Sequence, residues 1–111
     1  RTEERWVMVA ETEARVVGMV TLQVFISTAE GGPVGFIEDM VVDEAVRGQG
    51  VGRELLSALE ARARETGLSR LSRLQLLADR ENTGALRFYE REGWEETQLI
   101  CRRKFLHSPQ Q

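Results

Sequence analysis

Three groups of residues in this chain have types and spacings that could do chemistry. The first is a run of glycines between two arginines, Arg47-Gly48-Gln49-Gly50-Val51-Gly52-Arg53. Glycine has no Cβ, so backbone there can approach a ligand closely. From Val51 onward, Val51, Leu55, Leu56, Leu59 and Ala63 recur at helical spacing. A helix opening at that point presents unpaired N–H groups and the positive end of its dipole. With Arg47 and Arg53 alongside, this makes a site for a phosphate or, better for so many donors, a pyrophosphate. The second group is the acid pair Glu38-Asp39, set in an apolar run from Phe36 to Val42. A carboxylate in so apolar a strand costs energy unless it is solvated or paired, which argues for a water-lined cleft beside at least one acid. Consecutive strand residues point to opposite sheet faces, so the two acids are expected on different sides. The third group is the stretch N-T-G-A-L-R-F-Y-E-R-E-G-W, Asn82 to Trp94, which holds the chain's single tyrosine, Tyr89.

The glycine run narrows the choice of ligand. A Walker A loop needs Lys-Ser or Lys-Thr after its last glycine, and neither pair occurs. A dinucleotide fingerprint needs a third glycine where Arg53 stands. The pattern [RQ]-x-x-G-x-[GA] is met by Arg47, Gly48, Gln49, Gly50, Val51 and Gly52. In this the sequence resembles the GNAT superfamily of acyl-CoA N-acyltransferases, whose pyrophosphate loop for coenzyme A has this form. The third group matches a second GNAT signature, N-x-x-A-x-x-[FL]-Y-x-x-x-G-[FW], at Asn82, Ala85, Phe88, Tyr89, Gly93 and Trp94. The two motifs stand in the family's order, about one βαβ unit apart, and the resemblance covers nearly the whole chain, from the Trp6 hairpin to Phe105.

The resemblance implies aminolysis of a thioester: an amine attacks the acetyl carbonyl of acetyl-CoA, an oxyanion develops, and the coenzyme A thiolate leaves. Such a site accepts a proton from the ammonium, stabilises the oxyanion and protonates the thiolate. Tyr89 suits the last step, since a phenol of pKa about 10 can give a proton to a nascent thiolate, and the family's matching tyrosine has this role. The alternative is a tyrosine that only packs in a helix–sheet seam. The family holds the oxyanion and pantetheine on backbone N–H groups of the strand before the glycine loop, where a bulge splays two parallel strands. That implies Met40 and Val42 as donors, with Val41 between them. Asn82 and Phe88 match residues beside the coenzyme A arm, although Asn82 could equally be a plain helix cap. Glu38 is the expected base, direct or through water, against a structural role in pairing an arginine. The segment I-E-D-M-V-V is also similar to that of glucosamine-phosphate N-acetyltransferases. The acceptor expected is a primary amine, a small molecule or amino sugar in preference to a protein N-terminus. A non-catalytic acyl-CoA-binding module, or a truncated fragment that no longer turns over, is the rival reading.

The elements that must position these groups follow from periodicity. Trp6–Glu11 and Val16–Ile26 are expected to form an antiparallel hairpin, with a bulge or twist at Gly18. Ser27–Gly35 reads as a loop and Phe36–Val42 as the next strand. A helix is expected from Gly50 to Thr66, stopped by Gly67, then a buried strand, Leu74–Ala78, parallel to the one before the helix. Asn82 or Thr83 caps a second helix over Thr83–Glu92, with Ala85, Leu86, Phe88 and Tyr89 inward. Further strands are expected from Trp94 and over Gln98–Phe105, with Cys101 in their core and His107 in a fraying tail. The fold class is α/β, a mixed and mostly antiparallel twisted sheet with two helices, in a single domain.

Composition sets outer limits. The chain has 111 residues, 41% hydrophobic and 30% charged, as expected of a soluble globular protein. A net charge of −3 carries no basic footprint for nucleic acid. No apolar run approaches the ~20 residues of a membrane span, and no signal peptide is evident, so a cytoplasmic location is expected. One cysteine and one histidine argue against a disulfide or a metal site. The chain begins at Arg1, which suggests a fragment or trimmed product. The family usually carries a strand and two helices before this point. Their absence would expose apolar side chains and one strand edge of the hairpin, so a homodimer is expected, through that hairpin or by exchange of the Gln98–Phe105 strand.

Overall fold

Alternating apolar residues near the N-terminus form three long strands, β1 (Glu4–Thr12), β2 (Arg15–Ser27) and β3 (Gly32–Val42). The computed structural model of the chain describes residues 4–27, 31–65 and 71–107. After β3 come a single 3-10 turn at Glu44–Val46, helix α1 (Val51–Ala63), a short strand β4 (Leu74–Gln75) and helix α2 (Thr83–Arg91). The strands lie in the order β1-β2-β3-β4, with β1–β2 and β2–β3 antiparallel and β3–β4 parallel. This is the mixed, mostly antiparallel sheet with two helices expected from the sequence. The chain divides into two compact units, Arg1–Ala78 with the sheet and α1, and Asp79–Gln111 with α2.

In the first unit the core lies between the sheet and α1. Along β2 the even-numbered Val20, Leu22 and Val24 are buried, and so are Leu55, Leu56, Leu59 and Ala63 of α1. Strand period two and helix period 3.6 thus bring two apolar stripes face to face. Fully burying a leucine such as Leu22, Leu56 or Leu59 contributes roughly 2 kcal/mol. Trp6 extends the core into β1: its indole N–H donates to Glu4 Oε2 at 2.8 Å, and the Arg62 guanidinium lies 4.3 Å from the ring centroid.

Two bulges interrupt the ladders. Between β1 and β2, Ala10 faces Gly18 and Glu11 faces Val16, so the surplus residue is Val17, one place before the expected Gly18. Between β2 and β3, Leu22 faces Ile37 and Thr21 faces Asp39, which leaves Glu38 surplus. The Asp39 N–H is taken up by Thr21 Oγ1 at 3.1 Å.

Several expectations are corrected. Trp94–Phe105 holds no strand. A strand exists only by pairing its backbone, and polar Glu95–Gln98 with charged Arg102–Lys104 leaves little apolar alternation to hold one in a sheet. Cys101 is accordingly exposed, not a core residue, and the strand-exchange route to a dimer has no strand to exchange. The free edge on which the other route rests is present, because β1 pairs only with β2 among the described residues. The stretch read as a loop up to Gly35 joins β3 at Gly32, and β4 ends at Gln75, short of Ala78. Leu86 is exposed, while Ala85, Phe88 and Tyr89 are half-buried. Helix α1 ends at Ala63 with Arg64 as its C-cap, short of the expected Thr66, and the expected stop at Gly67 lies outside the described residues.

Close packing at Gly35 generates a test. A Cβ there would meet Leu71 Cδ1 at 2.8 Å, Leu22 Cδ1 at 2.9 Å and Leu74 Cδ2 at 2.9 Å. Overpacking of this kind costs about 1–3 kcal/mol. Gly35→Ala should therefore lower the denaturant midpoint with an unchanged slope. A midpoint equal to that of the parent would mean that the three leucines give way.

Candidate functional site

The last third of β3 has an open edge. The Gly35 N–H donates to the Arg73 carbonyl at 3.0 Å, on the β4 side. At the other end of the strand, the Asp43 N–H donates to the Val17 carbonyl at 2.8 Å, on the β2 side. Backbone amides alternate in direction along a strand, so counting back from Asp43 turns the amides of Val42 and Met40 away from β2. Strand β4 pairs only opposite Gly35 and Phe36 and does not reach them. Met40 and Val42 thus present N–H donors along the open edge. The Val41 amide points to β2, and its side chain is exposed.

The turn that follows is built from several local bonds. Asp43 accepts from the Ala45 N–H at 3.0 Å and pairs with Arg15 at 2.6 Å. These contacts, the backbone bond first and the Arg15 bond next, hold the Asp43 carboxyl below the usual carboxylate range. Arg47 Nε donates to the Val42 carbonyl at 3.2 Å, which fixes an exposed guanidinium beside the end of β3. Gly48 and Gly50 have φ of +83° and +88°, in the left-handed region that side chains disfavour. Gly50 is the N-cap of α1 and offers no side-chain cap bond. The Glu54 N–H donates to the Gly50 carbonyl at 3.0 Å, and the amides of Val51 and Gly52, in the first turn, precede any carbonyl of the helix they could bond. Gln49 and Arg53 are exposed; Val51 and Gly52 are half-buried. Strand edge and helix start are thus two groups of donors joined by a turn whose own amides, from Ala45 to Arg47, are bonded within it, an arrangement able to hold a polar chain and then its phosphates.

Glu38 stands elsewhere than expected. Its bulge places it on the sheet face away from α1, with Asp39, and not on the face opposite to Asp39. Period-two alternation holds only where the ladder is unbroken. The Glu38 carboxylate is gripped by a fork from Arg5, Nε to Oε1 at 3.1 Å and Nη2 to Oε2 at 3.3 Å. Arg5 also donates to Gln23 Oε1 at 3.4 Å. Beside Glu38 lies an open hollow of about 370 Å³, lined by Gln23, Phe25, Phe36, Ile37, Glu38 and Leu77. Arg5, Gln23 and Phe25 escaped the sequence reading, although the i, i+2 pattern of β1 and β2 puts Arg5 opposite Gln23 on the same face as Phe25.

In the second unit Asn82 caps α2, its Oδ1 accepting from the Ala85 N–H at 3.1 Å. Tyr89 packs edge-on between two rings, at 5.4 Å from Phe88 and 5.9 Å from Trp94. Partial burial pushes the Tyr89 phenol above its ordinary value of 10. It therefore remains protonated at neutral pH, a proton donor and not a base. No group of residues suited to holding a metal ion occurs among the described residues, and no helix among them is long and apolar enough to cross a membrane.

A mixed sheet whose β3 runs past its parallel neighbour into a glycine turn and a helix start is the frame of an acyl-CoA N-acyltransferase fold. The sequence model of the acetyltransferase (GNAT) family matches residues 1–94, and the chain belongs to that family. It is 32% identical over 101 residues to an uncharacterized N-acetyltransferase of Methanocaldococcus jannaschii, covering 90% of this chain and 43% of that one. It is 35% identical over 82 residues to the aminoalkylphosphonate N-acetyltransferase of Salmonella typhimurium, covering 74% and 51%. Among solved structures, an aminoglycoside acetyltransferase from an uncultured soil metagenomic sample, in complex with trehalose, superposes with a TM-score of 0.83 at 28% identity, covering 93% of this chain and 66% of that one. The chain spans about half the length of the curated relatives it matches.

The Asp43 bonds predict a pH dependence. A depressed folded-state pKa stabilises the fold above the ordinary value of 3.8, and that contribution is lost as pH falls through the lowered value. Asn retains the cap but not the charge opposite Arg15. Asp43→Asn should therefore melt below the parent at neutral pH, with the gap closing as the pH drops past 3.8. A gap that stays constant down the acid limb would remove Asp43 from the account.

Proposed function

We propose that this chain acts as an N-acetyltransferase that moves the acetyl group of acetyl-CoA to a primary amine by direct attack. The observation that carries the reading is a pair of donor groups, the Met40 and Val42 amides on the edge of β3 and the glycine turn that opens α1, with the Arg47 guanidinium held between them. In this reading the pantetheine arm lies along Met40–Val42 like an added strand. The pyrophosphate sits on Arg47, Gly48, Gln49, Gly50, Val51, Gly52 and Arg53. Asn82 and Phe88, from the second motif, are the proposed contacts to the rest of the cofactor arm.

The reaction then needs few parts. The amine nitrogen attacks the acetyl carbon, and the carbonyl oxygen gathers charge that the strand-edge amides are oriented to stabilise. The carbon–sulfur bond breaks, and the thiolate takes a proton from Tyr89. The proton lost by the attacking ammonium goes to Glu38, directly or through water. Arg5 engages each Glu38 oxygen once, and each oxygen keeps a further lone pair for this purpose. The relatives' names support a small-molecule acceptor: one acts on aminoalkylphosphonates, and the solved structure is of an aminoglycoside acetyltransferase.

Two variants test the reading. Gly50→Asp forces a side chain into left-handed backbone and puts a negative charge where the pyrophosphate would sit, so coenzyme A affinity measured by calorimetry should fall. Unchanged affinity would sink the placement of the cofactor. Tyr89→Phe should leave that affinity intact and lower kcat by about 10²–10⁴-fold, the usual worth of a general acid. Turnover at the parent rate would leave Tyr89 a packing residue only.

A further inference from the structure

The hollow beside Glu38 has a chemical character that selects among amines. Among the described residues lining it, Glu38 alone is ionisable. Phe25 and Phe36 form one wall, ring centroids 6.4 Å apart and inclined at 62°, so that one ring meets the other edge-on, and Phe25 is 37% exposed. Gln23 supplies an amide able both to donate and to accept. Leu77, 68% exposed, adds an apolar rim. Arg5 is committed to Glu38 and Gln23, Arg73, just before β4, is engaged by Gln75 at 2.7 Å, and no lysine or arginine is among the described residues that line the space. Asp39 stands on the same sheet face.

We infer that the hollow is the acceptor subsite, and that it takes a primary ammonium carried on a ring with an apolar face rather than an amine that carries an anionic group. This rests on the acetyl-transfer reading above and specifies its acceptor. The ammonium bonds the outer lone pairs of Glu38, which the Arg5 fork leaves available. The ring lies against Phe25 and Phe36, and a hydroxyl or similar group on it reaches Gln23. An aromatic face also attracts the ammonium itself. A phosphonate or carboxylate beside the amine would meet the Glu38 carboxylate and find no guanidinium among the described residues that line the hollow. On this basis the chain parts from its aminoalkylphosphonate-acetylating relative. A volume of about 370 Å³ suits a single ring with its substituents.

The test measures thiol release from acetyl-CoA with three amines: 2-phenylethylamine, glucosamine and 2-aminoethylphosphonate. Both ring amines should exceed the phosphonate in kcat/KM by at least about tenfold. The better of the two tells whether an aromatic or a sugar ring is preferred. Phe25→Leu, which keeps bulk and removes the aromatic face, should raise KM for the better ring amine several-fold with coenzyme A affinity unchanged. Gln23→Ala should do so for glucosamine more than for 2-phenylethylamine. A phosphonate used as well as either ring amine, or a Phe25→Leu variant with unaltered KM, overturns the assignment while leaving acetyl transfer intact. Should no amine release thiol, the transfer reading fails by itself, and ligand-detected NMR of 2-phenylethylamine and glucosamine then examines the hollow directly. Binding of either that weakens in Phe25→Leu upholds the subsite, and absence of binding by both overturns it.

Discussion

One surplus residue in β3 is the constraint on which the rest of the site depends. Glu38 has no partner in β2, and the ladder closes around it from Leu22–Ile37 to Thr21–Asp39. Up to that point β3 lends one edge to β4; beyond it β4 has ended and the edge is open. A residue in excess of the ladder bends and twists its strand, which suits a strand that must leave its parallel neighbour. The same residue projects a carboxylate onto the face where Arg5 and Gln23 wait. Open amides on one edge and an acid on one face thus meet at a single irregularity.

The bulge is held from several directions. The Asp39 amide, displaced from the ladder, is satisfied by the Thr21 hydroxyl. The carboxylate of Glu38 is satisfied by Arg5. This pair is largely exposed, so it orients the side chain more than it stabilises the fold. Underneath lies the core of Leu22, Ile37, Leu56 and Leu59, buried and close-packed. The close-packed part of the unit is therefore directly beneath the irregular part, an arrangement that favours one conformation of the bulge.

Much of the fold was legible in the chain itself. The periodicity of Val51, Leu55, Leu56, Leu59 and Ala63 located α1, because a stripe that must be buried leaves a clear spacing. Asn82 was recognisable as a cap, and the glycines of the turn proved to need positive φ at Gly48 and Gly50. What escaped was of two kinds. The bulge at Glu38 has no signal in composition, since it is set by how two strands register against each other, and so the faces of Glu38 and Asp39 were misassigned. The C-terminal stretch failed for the opposite reason. Leu99, Ile100 and Phe105 look strand-like in isolation, but isolated apolar residues among arginines and glutamates do not make a sheet without an edge to join. Arg5, by contrast, was visible in principle, and only its long-range partner gave it meaning.

The distribution of indoles has a spectroscopic consequence. The chain has two tryptophans, and each compact unit holds one. Trp6 is 3% exposed, hydrogen-bonded through its N–H and covered by a guanidinium. Trp94 is half-buried and stands beside the Tyr89 ring. Buried and half-solvated indoles emit at different wavelengths, so the intrinsic fluorescence of the unlabelled chain carries two separable signals. The bluer one reports the packing of α1 on the sheet. The redder one, fed by energy transfer from the only tyrosine, reports the surroundings of the phenol.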